Sequence, residues 1–182
     1  SPPVVNTVGS SEISSTGAVL SGTVVTDNGA AITERGFVWL KGTDAPTTSS
    51  NKVKVEGSTG DFTATISGLD PNQKYSFRAY AINSKGTAYG DIMTFNTVAG
   101  LPALSAMKVS SITTTSATFT CTVTNHGGET VSEVGFYYST DEAVDIETAT
   151  KVNKPYSQDA FSIDVTDLAV NTKHYVKSYA KN

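Results

Sequence analysis

The sequence predicts an all-β chain folded as two tandem antiparallel β-sandwiches. Three observations lead there: an internal repeat, a period-two alternation of apolar residues, and turn chemistry at short intervals. Residues 13–83 and 112–182 align without a gap at a constant offset of 99. Ala18 falls on Ala117, Val24 on Val123, Glu34 on Glu133 and Gly36-Phe37 on Gly135-Phe136. Phe62 falls on Phe161, Leu69 on Leu168 and Tyr80-Ala81 on Tyr179-Ala180. Solenoid repeats recur every ~20–50 residues, so this much longer period is that of a whole domain. The expected domains are 1–98 and 99–182, joined near Val98-Ala99-Gly100-Leu101-Pro102. So short a linker predicts domains set end to end with limited freedom.

Each element follows from its own pattern. Ala18, Leu20, Gly22 and Val24 alternate with residues 19, 21 and 23, which reads as a strand packed on one side. Asp27-Asn28-Gly29 supplies the turn that ends it. Phe37 and Trp39 share the next inward register, which makes Trp39 a core residue, and Gly42-Thr43-Asp44 closes that run. Thr59-Gly60-Asp61 opens the alternating set Phe62, Ala64, Ile66. Asp70-Pro71-Asn72 precedes Tyr75, Phe77, Ala79 and Ala81, which point inward and leave Ser76, Arg78, Tyr80 and Ile82 outward. After the turn at Lys85-Gly86, residues 90–97 form the last strand of the first domain. In the second repeat Ala117, Phe119, Cys121 and Val123 renew the first pattern, and His126-Gly127-Gly128 renews its turn. Phe136 and Tyr138 face the core and Tyr137 faces out; residues 141–149 form a loop or a single turn of helix. Tyr175, Lys177, Tyr179 and Lys181 form the outward set of the final run. Ser and Thr together supply about a quarter of the chain, and Thr suits pleated, half-buried surfaces.

The run Leu69-Asp70-Pro71-Asn72-Gln73-Lys74-Tyr75, followed by Arg78, Ala81, Asn83 and Gly86, resembles the end of a fibronectin type III domain, an immunoglobulin-like sandwich. The resemblance implies that Tyr75 is the corner tyrosine, its hydroxyl bonded to nearby backbone. Glu34-Arg35-Gly36-Phe37 and residues 78–90 look like the fibronectin-III-like modules strung along surface lipoproteins and glycan-handling proteins of Bacteroidetes. The resemblance covers nearly the whole chain, once per repeat. It implies a non-catalytic spacer or adhesion module of an exported, surface-associated bacterial protein. The expected location is extracellular or at the cell surface, with lipid anchoring through a segment outside residues 1–182. The expected partners are other domains of a longer chain, or a cell-surface protein or glycan.

The chain departs from that pattern at three places. The tryptophan usual early in the second strand is absent, with Leu20 and Phe119 nearby. In the second repeat His174 stands at the corner position, where a hydrogen-bonded substitute for tyrosine is expected, and Val170 replaces Pro71. Asn182 aligns with Asn83, so the second domain is expected to lack its final strand. Either further chain or the strand of a partner would then cover the open edge.

Composition narrows the chemistry. Thirteen Lys and Arg against seventeen Asp and Glu give a net charge of −4, which argues against a nucleic-acid partner. No apolar run approaches the ~18 residues of a membrane span, so no transmembrane segment is expected. A single Cys and two distant His residues do not make a metal site. None of G-x-S-x-G, H-E-x-x-H, a Walker loop or a Rossmann fingerprint occurs. The expectation is therefore no enzyme, no catalytic residue, no cofactor and no metal. Gly57-Ser58-Thr59-Gly60 reads as a hairpin loop, His126 as a solvated loop residue with no orienting carboxylate, and Cys121 as a buried, inert thiol. Asp141, Glu142, Asp145 and Glu147 lack the spacing of an EF-hand and read as a solvated acidic loop.

Tyr137, Tyr175 and Tyr179 remain as the candidate ligand face, three tyrosines on the outer side of one sheet. A flat ring with a polar tip suits sugar rings and protein partners alike; cross-strand pairing that only stabilises the sheet is the plainer alternative. The competing function is thus a glycan- or protein-binding module, using this face or a complemented edge strand.

Overall fold

The structure, a computed structural model, describes residues 1–182. It is all-β and contains no helix, and no helix long and apolar enough to cross a membrane. The chain divides into two compact units, Ser1–Ala99 and Gly100–Asn182. That division lies one residue from the expected boundary.

Unit 1 is an immunoglobulin-like β-sandwich of eight strands. They are β1 (Val4–Ser11), β2 (Ala18–Thr26), β3 (Ile32–Lys41), β4 (Asn51–Lys54), β5 (Gly60–Ile66), β6 (Lys74–Asn83), β7 (Gly86–Tyr89) and β8 (Met93–Asn96). One sheet runs β1-β2-β5; the other runs β4-β3-β6, with β7 and β8 both paired to the far edge of β6. Every ladder is antiparallel. The alternation in β2 is the one the sequence displays, with Ala18, Leu20 and Val24 buried. These side chains meet Phe37, Phe62, Ile66, Phe77 and Ala79 in one core, where the Phe37 and Phe62 rings lie 4.9 Å apart. Trp39 packs at the margin of this core, partly buried. Tyr75 forms the expected corner: the Asp70 backbone N–H donates to its hydroxyl at 2.9 Å.

Unit 2 repeats the plan with β9 (Ala103–Leu104), β10 (Lys108–Ser110), β11 (Ala117–Asn125), β12 (Glu133–Ser139), β13 (Thr150–Pro155), β14 (Ala160–Val165) and β15 (Tyr175–Lys181). One sheet runs β10-β11-β14, with β9 also on β11; the other runs β13-β12-β15. Its core again centres on paired phenylalanines, Phe136 and Phe161 at 5.3 Å and Phe119 and Phe136 at 5.5 Å. Cys121 is buried, and its thiol donates to the Ser105 carbonyl at 3.3 Å. The position it repeats, Gly22, has no such room: a Cβ there would come within 2.9 Å of Ala79 Cβ. At the corner, His174 Nδ1–H donates to the Thr172 carbonyl at 3.0 Å, a backbone bond two residues upstream in place of a tyrosine's.

One expectation is corrected. The outward residues of β6 do not form an open face. Ser76 is buried and donates to the Asp44 carbonyl at 2.6 Å, and Arg78 Nε–H donates to the Pro46 carbonyl at 2.6 Å. Residues 42–50 are laid across that side of the sheet, and Tyr80 is fully buried. Residues 141–149, the matching segment of unit 2, form a loop of turns, the first of the two expected forms. The Asp141 carboxylate accepts from the Ala143 N–H and that of Asp145 from the Glu147 N–H, local bonds that favour turns over helix.

Candidate functional site

The register of β12 against β15 decides which side chains share a face. Gly135 lies opposite Tyr179, Tyr137 opposite Lys177, and Ser139 opposite Tyr175. Tyr137, Tyr175 and Tyr179 therefore do stand on the same outer face, while Phe136 and Tyr138 turn to the core. The face is not uniform. Tyr137 and Tyr179 pack together with ring centroids 5.0 Å apart. Tyr175 belongs to no ring pair and instead carries Lys173 Nζ 4.6 Å above its ring.

Tyr179 is held by its own sheet. A Cβ at Gly135 would come within 2.8 Å of the Tyr179 ring and 2.3 Å of the Val152 carbonyl oxygen. Only glycine lets the ring lie flat here with β13 this close. The Tyr179 hydroxyl donates to Glu133 Oε1, Lys151 Nζ reaches the same oxygen at 2.8 Å, and Lys151 also sits 5.0 Å over the Tyr179 ring. The Lys151 ammonium, with help from the tyrosine hydroxyl, holds Glu133 below the usual carboxylate range. Burial, then the neighbouring carboxylate, pushes Tyr179 up to about 12. This hydroxyl stays protonated and committed at neutral pH.

The same cluster is built in unit 1. Tyr80 donates to Glu34 Oε1 at 2.7 Å, and Lys52 and Lys54 reach the Glu34 carboxylate at 3.1 and 2.6 Å. Hydrogen bonds from Lys54 and Tyr80 draw Glu34 down to about 2, while burial raises Tyr80. Because Tyr80 is wholly inaccessible, the shared arrangement acts within the sheet, pairing strands across β3 and β6. Tyr137 and Tyr175 differ. Their counterparts are the buried Val38 and Ser76, and both tyrosines remain half-buried with hydroxyls that bond to nothing in the chain.

A second polar cluster escapes the sequence. His126 Nε2 lies 2.6 Å from Asp159 Oδ1 and 3.2 Å from the Tyr156 hydroxyl, which itself donates to Asp159 at 2.7 Å. His126 is thus a partly exposed loop residue, as expected, but one with an orienting carboxylate. The histidine and the tyrosine both depress Asp159. The pairing of β11 with β14 brings these residues together across 33 positions of sequence. In sequence, His126 follows one strand run and Asp159 precedes another, but nothing local shows that these two runs pair. No three His, Cys, Asp or Glu side chains converge as a metal site would require.

No family model matches the chain, and no curated protein matches it in sequence. Among solved structures, the sensor domain of an anti-sigma factor from Pseudobacteroides cellulosolvens is similar to it at 24% identity, over 54% of this chain and 96% of that one, with a TM-score of 0.39.

Proposed function

We propose that the two units are fibronectin-III-like modules serving as a non-catalytic spacer or adhesion segment of an exported, surface-associated bacterial protein. The observation that carries this reading is the doubled Glu–Tyr–Lys cluster, which spends the polar groups of the outer face on bonds within each sandwich. The corner bond of Tyr75 and the strand order support the family part of the proposal. β4 pairs with β3, whereas a constant-type immunoglobulin domain places its fourth strand on the opposite sheet. Compact blocks tied in this way hold their shape under load and set neighbouring domains at a distance. Export, surface attachment and lipid anchoring outside residues 1–182 follow from the resemblance alone.

One observation favours a second reading, a glycan- or protein-binding module. Tyr137 and Tyr175 replace buried residues of unit 1 with half-buried rings and free hydroxyls. Isothermal titration against a panel of polysaccharides and glycoproteins separates the two. A spacer gives no saturable heat. Saturable binding lost on Tyr137→Ala or Tyr175→Ala, and kept on Trp39→Ala, would establish the binding module instead.

A further inference from the structure

The chain passes from one unit to the next through a short stretch whose two ends are held by different sandwiches. On the unit 1 side Thr97 is buried. Its N–H donates to the Gln73 carbonyl at 2.9 Å, and its hydroxyl donates to the Asp70 carbonyl at 2.6 Å. Val98 is held as well. Its N–H donates to the Ser14 carbonyl at 3.2 Å, and its carbonyl accepts from the Asn72 N–H at 3.1 Å.

On the unit 2 side Gly100 is gripped at both of its backbone groups. Its N–H donates to the Gly127 carbonyl at 2.7 Å, and its carbonyl accepts from the Asn182 side-chain amide at 2.9 Å. The same amide donates to the His126 carbonyl at 3.0 Å. Gly127 makes this close approach possible: its φ is +73°, and a Cβ there would come within 2.2 Å of the Gly100 carbonyl oxygen. The clamp belongs to the module and not to this junction alone. In unit 1 Asn83 donates to the Ser1 carbonyl at 3.0 Å and to the Asp27 carbonyl at 2.9 Å. Ser1, Asp27 and Asn83 fall on Gly100, His126 and Asn182 at the same offset of 99. Beyond the clamp, Pro102 biases Leu101 toward extended backbone.

Between the two grips stands Ala99, which is exposed and makes no hydrogen bond. A peptide bond is planar, so each residue contributes only φ and ψ as soft rotations. The peptide plane that carries the Val98 carbonyl is held by unit 1, and the plane that carries the Gly100 N–H is held by unit 2. The two torsions of Ala99 are the only backbone rotations between them. We propose that Ala99 is a single-residue hinge, and that Asn182 is the positioning residue that keeps the rotation from spreading into Gly100 and Leu101. Alanine largely bars the positive-φ region that glycine would open. A joint of two restricted torsions has a narrow range of settings, whereas a long flexible linker behaves as a random coil. Its role rests on the spacer reading, because a spacer sets distance and direction only through a stiff joint.

The test uses the 182-residue chain with spin labels carried by Thr63→Cys and Ser162→Cys, exposed positions that are counterparts in the two units. Cys121 is buried and stays unlabelled in the folded chain. Double electron–electron resonance should give one narrow distribution of distances. Ala99→Gly, which removes no hydrogen bond, should widen it about twofold by freeing the two torsions. Asn182→Asp keeps the shape of the side chain but sets an acceptor against two carbonyls, and should widen it as well. The same substitution should speed amide exchange at Gly100 by about tenfold and leave the core strands of unit 2 unchanged. A parent distribution as broad as that of a chain with Gly-Gly inserted after Ala99 would overturn the hinge. So would distributions for Ala99→Gly and Asn182→Asp that match the parent's. Saturable glycan binding would instead remove the spacer reading and leave the narrow distribution, and with it the hinge, in place.

Discussion

Glu34 shows how much of an outer face one carboxylate can organise. It receives two ammonium groups and a phenol that is otherwise buried. Its folded-state pKa of about 2 lies below the ordinary 4.5. A depressed carboxylate contributes stability in full above the ordinary value and loses it as pH falls through the folded one. Glu34→Gln is therefore expected to lower the unfolding free energy at pH 7 by about 1–2 kcal/mol. The gap to the parent chain should close as pH drops from 4.5 toward 2, which urea unfolding at pH 7 and at pH 3 would measure. A gap that persists unchanged at pH 3 would contradict the assignment. Tyr80 shows where sequence reading stops at this scale. Alternation places it outward correctly, but its burial depends on distant neighbours such as Lys52, whose ammonium sits 5.9 Å over the ring, which no local pattern reveals.

The strands that the sequence displays are the ones with a buried alternating face, such as β2, β5, β6 and β11. The edge strands β4 and β13 are mostly exposed along their length and β1 along half of it, so little hydrophobic signal announces them. The segments that cross the outer faces are equally silent in sequence, though both units secure them alike. A cation on the β6-type strand reaches into the loop: Arg78 to the Pro46 carbonyl, Lys177 to those of Ala143 and Val144 at 2.6 and 3.1 Å. A buried residue plugs each loop, Pro46 in one and Val144 in the other. Lys177→Met removes the tether while keeping an unbranched stem. Amide hydrogen exchange in residues 141–149 should then speed up by about tenfold, the equivalent of ~1.4 kcal/mol, with the strands unchanged. Equal protection in both proteins would show that the Val144 plug alone holds the loop.

At the level of the whole molecule, the offset of 99 makes the doubled architecture and its boundary legible before any strand is assigned. The His126–Asp159–Tyr156 cluster is not legible in this way, because it depends on which strands become neighbours. Each unit has its own core, so calorimetry should resolve two transitions. Phe136→Leu, a change in the unit 2 core alone, should cost about 1–2 kcal/mol. It should lower one transition by roughly 4–8 °C per kcal/mol and leave the other in place. A single transition that moves as a whole would show that the units unfold together.

Cys121 gives this doubled molecule an internal clock. It is the chain's single thiol, and it lies buried in unit 2 beside Ser105. An alkylating reagent can reach it only when that sandwich opens. Added in native buffer, the reagent therefore reports the opening of unit 2 while unit 1 stays silent. When opening is rapid relative to modification, the labelling rate divided by that of an unfolded thiol gives the open fraction directly. Any ligand that binds only the closed sandwich would slow the clock by the factor of its own binding. The opening of one unit could thus be timed without attaching any probe to the protein.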